Sequence, residues 1–260
     1  MIVGERMRRG PLIAGVLVLA GLAGCVEQPV QPAPPTPSVN ATRSTLPNEP
    51  QALMATIGGL VEQTGVGHDI RQGEIEAGEA WYEPCDLLIA DPDRAKGAGL
   101  QLDAVWAAGL EVNPVPSFQN IQPPMTVLNV RVFHLPDASA AVAGATRARA
   151  ARCPSDEFRL NIGQATARWG SRAVTIASTS ARLTTATVKR VDPAIDAGVD
   201  YLPGDARLVF AHGPLLISIE VLTLWPRKQN SAAEITAAAQ AKAMSLAAAI
   251  VKTLPTSSEN

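Results

Sequence analysis

The most regular pattern in the chain is the spacing of apolar residues near its C-terminus. Between residues 231 and 254, apolar side chains recur every three or four positions, which is the period of a helix that buries one face. Ser231 and Glu234 have the spacing of a capping box, and Pro255 cannot continue the helix. A long C-terminal helix is therefore predicted, with the apolar stripe Ile235, Ala239, Ala243, Leu246, Ile250 and Leu254.

The middle of the chain has the alternating pattern of strands instead. Residues 125–134 place one almost wholly apolar face opposite a mixed face, which predicts a half-buried strand. Residues with turn chemistry separate the β-type runs that follow, and strands joined by short turns pair antiparallel. These runs are residues 158–162, 166–169, 173–178, 183–191, 208–212 and 215–224, and the expected reversals are at Gly163, Gly170, Pro193, Pro203-Gly204 and Gly213-Pro214.

Two more helices are predicted, at residues 51–62 from their apolar spacing and at residues 138–152 from their alanine content and the preceding Pro136-Asp137. The other segments are less regular: residues 65–78 are interpreted as a loop, residues 100–112 fit a helix or a strand, and Asp91-Pro92 could begin a brief helix. The predicted fold class is α+β, with an antiparallel sheet of about five to seven strands packed by helices.

The N-terminus has the layout of a bacterial lipoprotein export signal. Arg6, Arg8 and Arg9 precede an apolar run at residues 12–20, which is shorter than the ~20 residues that span a bilayer. The run is followed by Leu-Ala-Gly and Cys25, so we expect cleavage before Cys25 and lipid attachment to its thiol. The alternative is an ordinary signal peptide cut nearby. Export through the twin-arginine route is a further alternative to the general route.

The expected organisation has four parts. Residues 1–24 are the signal peptide, and residues 25–50 are a proline-rich disordered tether with little apolar surface to bury. Residues 51–255 form one folded domain, and residues 256–260 are a disordered tail. The mature protein would be held at the extracytoplasmic face of the cell membrane by its lipid, which includes palmitate.

Composition limits the possible partners. The formal net charge is −2, and loss of the signal removes three arginines and one glutamate, which makes the charge more negative. The arginines are scattered rather than clustered, and this pattern excludes a polyanion-binding surface, so no nucleic acid partner is expected. The hydrophobic fraction of 47% is enough for a core.

Cys85 and Cys153 are the two thiols that remain once Cys25 carries the lipid. In an oxidising compartment we expect them to form one disulfide, because free thiols are uncommon there. Neither cysteine has a C-x-x-C partner or a histidine at metal-ligand spacing, which disfavours a metal pair or a catalytic thiol. Two unpaired thiols are the remaining alternative.

No catalytic, cofactor or metal motif is present in the sequence, so no catalytic residue, cofactor or metal is predicted. His134 and His212 could meet as a metal or acid–base pair, but isolated strand-end histidines are the stronger interpretation. Three other groups have ordinary structural interpretations as capping, packing or surface charge: Asp86, Asp91 and Asp93; Trp81-Tyr82, Trp106, Trp169 and Trp225; and Arg147, Arg149 and Arg152.

The order of elements is similar to that of the PknH-like extracellular sensor domain family of mycobacterial and other actinobacterial envelope proteins. The resemblance rests on residues 126–153, which give a strand, a Pro-Asp turn and an Ala/Arg helix that ends at Cys153, on residues 207–221, and on the C-terminal helix. It implies an antiparallel sheet facing a groove and a role in binding or sensing ligands outside the cell. The kinase member of that family looks to need two disulfides, and only one is possible here.

The sequence therefore predicts a membrane-anchored, non-enzymatic ligand-binding or sensor module whose ligand it does not identify. Because the chain has no kinase segment, a sensed signal would pass to a partner. Two competing interpretations are an envelope protein interaction or assembly module and a hydrolase with an unrecognised site. A lined cavity, a flat apolar patch or converging polar groups would distinguish the three.

Overall fold

The computed structural model contains two units, Met1–Thr42 and Arg43–Asn260, and every described residue belongs to the second. Several residues of the sequence analysis lie outside the described residues: Cys25, Cys153, Asp86, Asp91, Asp93 and most of the predicted tether. The described residues are 46, 49–66, 70–75, 81–82, 85, 87, 99–113, 124–151, 157–159, 165–191 and 201–256.

In this part of the chain the elements are α1 Pro50–Gln63, β1 Ile70–Ile75, β2 Trp81–Tyr82, β3 Leu100–Gln101, β4 Trp106–Val112, β5 Met125–His134, α2 Ala138–Ala150, β6 Glu157–Arg159, β7 Ala165–Ile176, β8 Thr179–Val191, β9 Tyr201–His212, β10 Leu215–Pro226 and α3 Ala232–Thr253. Eight strands form one antiparallel sheet in the order β1-β4-β5-β10-β9-β8-β7-β6, and β2 pairs with β3 separately. The predicted α+β class is confirmed, with eight strands in the main sheet rather than five to seven.

The predictions of helices near residues 51–62, 138–152 and 231–254 and of the strand at 125–134 are confirmed, but the loop prediction for residues 65–78 is wrong. Strand β1 lies within that segment and pairs with β4 at one edge of the sheet, from Ile70 opposite Val112 to Ile75 opposite Ala107. Backbone hydrogen bonds to the neighbouring strand hold an edge strand in place. Its sequence therefore does not need a strict alternation of apolar and polar residues. The ambiguous segment 100–112 contains β3 and β4, so its strand interpretation is the correct one.

Two predicted reversals are also wrong, because β7 runs through Gly170 and β9 runs through Pro203 and Gly204. A Cβ on Gly204 would lie 2.5 Å from the backbone N of Thr236 in α3, and a Cβ on Gly170 would lie 2.7 Å from Thr185 Oγ1. These glycines therefore permit close approach rather than a turn. The reversal at Gly213-Pro214 is confirmed between β9 and β10, and Gly213 has a φ of 54°.

One face of the sheet carries the main core. Helices α1 and α3 cover this face, and their buried residues, including Leu53 and Leu246, pack in one cluster with Phe210 and Ile219 of the central strands. Each fully buried side chain of this size contributes about 1.5–3 kcal/mol. Leu46 also belongs to the cluster, so the packed chain begins a few residues before the predicted end of the tether.

Helix α3 is fixed at both ends. Ser231 and Glu234 form the predicted capping box, in which the Ser231 backbone N–H donates to Glu234 Oε2 at 2.7 Å and the Ser231 hydroxyl accepts from the Glu234 N–H. At the other end, His212 Nε2 lies 3.0 Å from the carbonyl oxygen of Leu254. None of the helices described has both the length and the apolar character to cross a membrane.

Helix α2 covers the opposite face. Asp137 caps its N-terminus by accepting a hydrogen bond from the Ala140 N–H at 2.7 Å. Gly144 faces the sheet, where a Cβ would lie 3.3 Å from Leu216 Cδ2. Small residues on this helix therefore let it pack closely against β9 and β10.

The contact between β9 and α3 gives a direct stability test. Gly204→Ala should lower the free energy of unfolding by about 1–3 kcal/mol, because the new methyl group overlaps the α3 backbone. Gly59→Ala, in α1, is the matched control: nothing lies within 4 Å of its Cβ, and the change should stabilise the helix by about 0.5–1 kcal/mol. Urea unfolding measures the free energy of unfolding of both variants. Equal changes in the two variants would contradict the close approach of β9 to α3.

Candidate functional site

A row of polar side chains crosses the sheet on the face that α2 covers. Residues paired directly across antiparallel strands point to the same face. Asn129 of β5 pairs with Glu111 of β4 on one side and with Glu220 of β10 on the other. Glu220 in turn pairs with Arg207 of β9, and Arg207 pairs with Thr184 of β8. Five neighbouring strands thus place polar residues in one register.

The adjacent row on the same face is polar at three of its positions. Arg131 of β5 pairs with Ser218 of β10. Ser218 pairs with Val209 of β9, and Val209 pairs with Arg182 of β8. We define the polar band as these eight residues: Glu111, Asn129, Arg131, Arg182, Thr184, Arg207, Ser218 and Glu220.

Two apolar clusters border the polar band. Phe133, Leu216 and Val209 lie on one side, in a cluster that includes Ala141 and Ala145 of α2. Val127 and Leu222 lie on the other side, in a cluster that includes Leu87. The polar band therefore separates two buried apolar clusters on the same face.

The centre of the polar band is a buried ion pair. Arg207 Nη2 lies 2.7 Å from Glu220 Oε2, and the two side chains are only 3% and 4% exposed. Tyr82 covers the pair: its ring centroid is 5.9 Å from the guanidinium carbon of Arg207. Burial raises the pKa of the Tyr82 phenol, and the positive charge of Arg207 opposes that shift. The pair is thus removed from water by an aromatic ring.

Arg182 connects the polar band to α2. Its Nη1 donates to the carbonyl oxygens of Ala148 at 2.7 Å and Arg149 at 2.6 Å, and it also contacts that of Ala151. These carbonyls form the C-terminus of the helix, where unpaired backbone acceptors and the helix dipole favour a cation. Arg182 is 7% exposed, so it fixes the end of α2 over the sheet.

The other end of the polar band meets solvent. Glu111 is exposed, and Asn129 and Arg131 are half-buried. Gly109 pairs with Arg131 and adds no side chain above the sheet. The described side chains give Glu111, Asn129 and Arg131 no hydrogen bond or ion pair, and Arg71 of β1 lies directly opposite Glu111 in the sheet. We call Glu111, Asn129 and Arg131, together with the neighbouring Gly109, the open end.

The histidine pair considered from the sequence does not form. His134 and His212 both lie opposite Leu215, on the two sides of β10, which separates their strands by about 9–10 Å. His134 stacks on Trp106 with the ring centroids 5.1 Å apart, and His212 contacts Leu254 as described above. Among the residues that the structure describes, no cluster of His, Cys, Asp or Glu could hold a metal ion.

Cys85 is fully buried and disulfide-bonded. Its predicted partner Cys153 lies outside the described residues, so the pairing of these two cysteines stays a prediction. Arg147 is exposed and Arg149 donates to Thr146 Oγ1 at 2.8 Å, whereas Arg152 lies outside the described residues. Trp169 and Trp225 both pack against the Leu87 cluster.

Sequence reasoning missed the polar band, although one signal was present. Glu220 interrupts the apolar run of β10, and Asp205 and Arg207 interrupt that of β9, so buried charges could have been suspected. Their alignment was not accessible, because pairing across strands depends on the register between distant segments.

A concave surface lies between α1 and α3. It has a volume of about 450 Å³ and is lined by Leu60, Gln63, Thr64, Ala241, Lys242, Ser245 and Ala249. The volume falls in the range of small-molecule sites. Its lining is mixed: Gln63, Thr64, Lys242 and Ser245 are polar, and Leu60, Ala241 and Ala249 are apolar. We call this surface the helix groove.

Comparison with known proteins gives little more. No protein-family model matches the chain, and no curated protein matches it. The chain is similar to a solved structure, the extracellular domain of PknH from Mycobacterium tuberculosis, at 13% sequence identity and a TM-score of 0.37. The match covers 73% of this chain and 90% of that chain. Similarity at this level supports no conclusion about function, so membership of that family stays a prediction.

The ion pair predicts a specific pattern of stability. Arg207→Met should lower the free energy of unfolding by about 3–5 kcal/mol, because Glu220 is then buried without its cation. The double variant R207M/E220L should recover most of this loss, because neither charge remains. Urea unfolding of both variants makes the comparison. A double variant as unstable as R207M would contradict the claim that the loss comes from burying Glu220 without its cation.

His134 predicts a pH dependence. Burial lowers the pKa of its imidazole in the folded protein, while the unfolded chain keeps a pKa of about 6.5. As the pH falls below that value, the unfolded state binds the proton first, so stability decreases until the pH passes the folded pKa. His134→Phe should keep the stacking on Trp106 and lose less stability between pH 7 and 5. Identical pH profiles of the two proteins would refute this.

Proposed function

We propose that this protein is an extracytoplasmic, lipid-anchored module that binds a ligand without catalysing a reaction, and that the open end contacts the ligand. One observation carries the site: beside a buried ion pair, Glu111 is exposed and Asn129 and Arg131 are half-buried on the same face of the sheet. Such an arrangement offers a ligand several hydrogen-bonding groups on a rigid sheet.

The buried ion pair supports this interpretation energetically. Taking Arg207 and Glu220 out of water costs several kcal/mol per ion, and well-packed apolar residues would often be as stable. The pair thus adds little to stability but holds the charges of the polar band in fixed positions. Charges held in fixed positions suit a binding surface, whose polar groups must keep their geometry.

The location rests on the N-terminal sequence. The basic start, the short apolar run and the Leu-Ala-Gly segment before Cys25 support export and lipid attachment, and a disulfide between Cys85 and Cys153 fits an oxidising compartment. The resemblance to the PknH-like sensor family supports an actinobacterial envelope protein of sensor type.

An envelope protein interaction or assembly module is the second candidate. The helix groove favours it, because Ala241, Ser245 and Ala249 would allow a partner helix to approach α3 closely. A hydrolase has less support: the described histidines are engaged by Trp106 and Leu254, and neither is near the polar band.

Lipid anchoring is tested by Cys25→Ala in the full chain, expressed in an actinobacterial host. The unaltered protein should incorporate a palmitate analogue and sediment with membranes, and the variant should do neither, because no thiol remains to be acylated. Val26→Ala, which keeps the cysteine, is the control and should behave like the unaltered protein. Label on the Cys25→Ala variant, or its retention at the membrane, would contradict the proposal.

Ligand binding is tested by incubating immobilised protein with a polar extract of envelope components and identifying retained molecules by mass spectrometry. Arg131→Gln should lose the retained molecule, because it removes the cation of the open end. Arg147→Gln replaces an exposed arginine on α2 and should retain it. A molecule kept equally by both variants, or no small molecule at all, would refute binding at the open end.

A further inference from the structure

We infer that the helix groove binds a small organic carboxylate with an apolar body, whose anion contacts Lys242 and whose body extends toward Ala249. This site is separate from the open end and takes a different class of ligand. The inference therefore goes beyond the proposed function and does not depend on it.

The polar groups of the groove determine the charge of the ligand. Lys242 carries the one charge among the described residues that line the groove, and Gln63 and Ser245 add an amide and a hydroxyl. All three side chains can donate hydrogen bonds. Glu62, next to Gln63 on α1, is exposed and does not line the groove. The groove therefore attracts an anion, whereas a cation would be repelled by the ammonium group of Lys242.

The donors on α3 are available to a ligand. Both helices that form the groove are described over their whole length. The described side chains give Lys242 and Ser245 no hydrogen bond or ion pair, and Lys242 is half-buried. Other helix hydroxyls each donate to the carbonyl oxygen four residues earlier, at 2.8–3.1 Å: those of Thr56, Thr146 and Thr236. The Ser245 hydroxyl has no such bond and can donate to a ligand instead.

The shape of the groove determines the size and polarity of the ligand body. Ala241, Ser245 and Ala249 follow one another at intervals of four residues on α3, so this wall is about 12 Å long. Lys242 is next to Ala241 at one end, and Leu60 of α1 adds a buried apolar side chain. The volume of about 450 Å³ is near the lower end of the range for small-molecule sites. A carboxylate with a short apolar body matches both the length and the volume.

The test is calorimetric titration of the full chain in phosphatidylcholine nanodiscs, with empty nanodiscs as the blank. The probes are phenylpropionate, its uncharged amide and phenylpropylamine, which have the same apolar body and differ in charge. The carboxylate should bind at least about tenfold more tightly than the amide, because its hydrogen bonds with Lys242 are charge-assisted. The amine should bind more weakly than the amide, because its charge has the same sign as that of Lys242.

Three variants separate the charge from the shape of the groove. Lys242→Gln should remove the preference for the carboxylate over the amide, because the ammonium group is lost. Lys252→Gln is the matched control: it replaces an exposed lysine of the same helix that does not line the groove, and the preference should remain. Ala241→Leu should weaken the binding of both probes, because the larger side chain fills part of the groove.

Four results would overturn the inference. The unaltered protein could bind the carboxylate and the amide equally, the preference could survive in Lys242→Gln, or Ala241→Leu could leave binding unchanged. The fourth result, no binding of any probe, would leave the groove to the partner helix of the second candidate function. None of these measurements involves Arg131, so the test of ligand binding at the open end is decided separately.

Discussion

The burial of Arg207 against Glu220 is the constraint on which this structure depends. The two residues sit opposite each other in the central hairpin of the sheet, so any slip in the pairing of β9 with β10 would leave two charges buried without partners. A one-residue slip would also turn the apolar residues of the slipped strand away from α3. The pair therefore makes one register far more favourable than its neighbours, at some cost in stability.

The two faces of the sheet divide structural and functional tasks. On one face, α1 and α3 bury a continuous apolar cluster, and Gly204 lets α3 lie directly on β9. Among the described residues, α2 and Tyr82 cover part of the polar band on the other face, and Arg182 fixes the end of α2 there. The first face carries the main core, whereas the second combines two smaller apolar clusters with the polar band.

Much of the fold follows from local sequence pattern. The capping box at Ser231, the N-cap at Asp137 and the alternation in β5 each depend on residues a few positions apart, and these predictions are confirmed. The edge strand β1 and the glycines within β7 and β9 were interpreted wrongly, because their conformation depends on partners distant in sequence. The polar band was missed for the same reason: its residues come from five strands that align only after the sheet forms.

The central claim is that the open end of the polar band, and not the helix groove, contacts the ligand. Backbone amide NMR spectra recorded with and without a polar envelope extract test it most directly. The account predicts shifts concentrated at Gly109, Glu111, Asn129 and Arg131. Shifts confined to Gln63, Lys242 and Ser245 of the helix groove, with the open end unchanged, would contradict it.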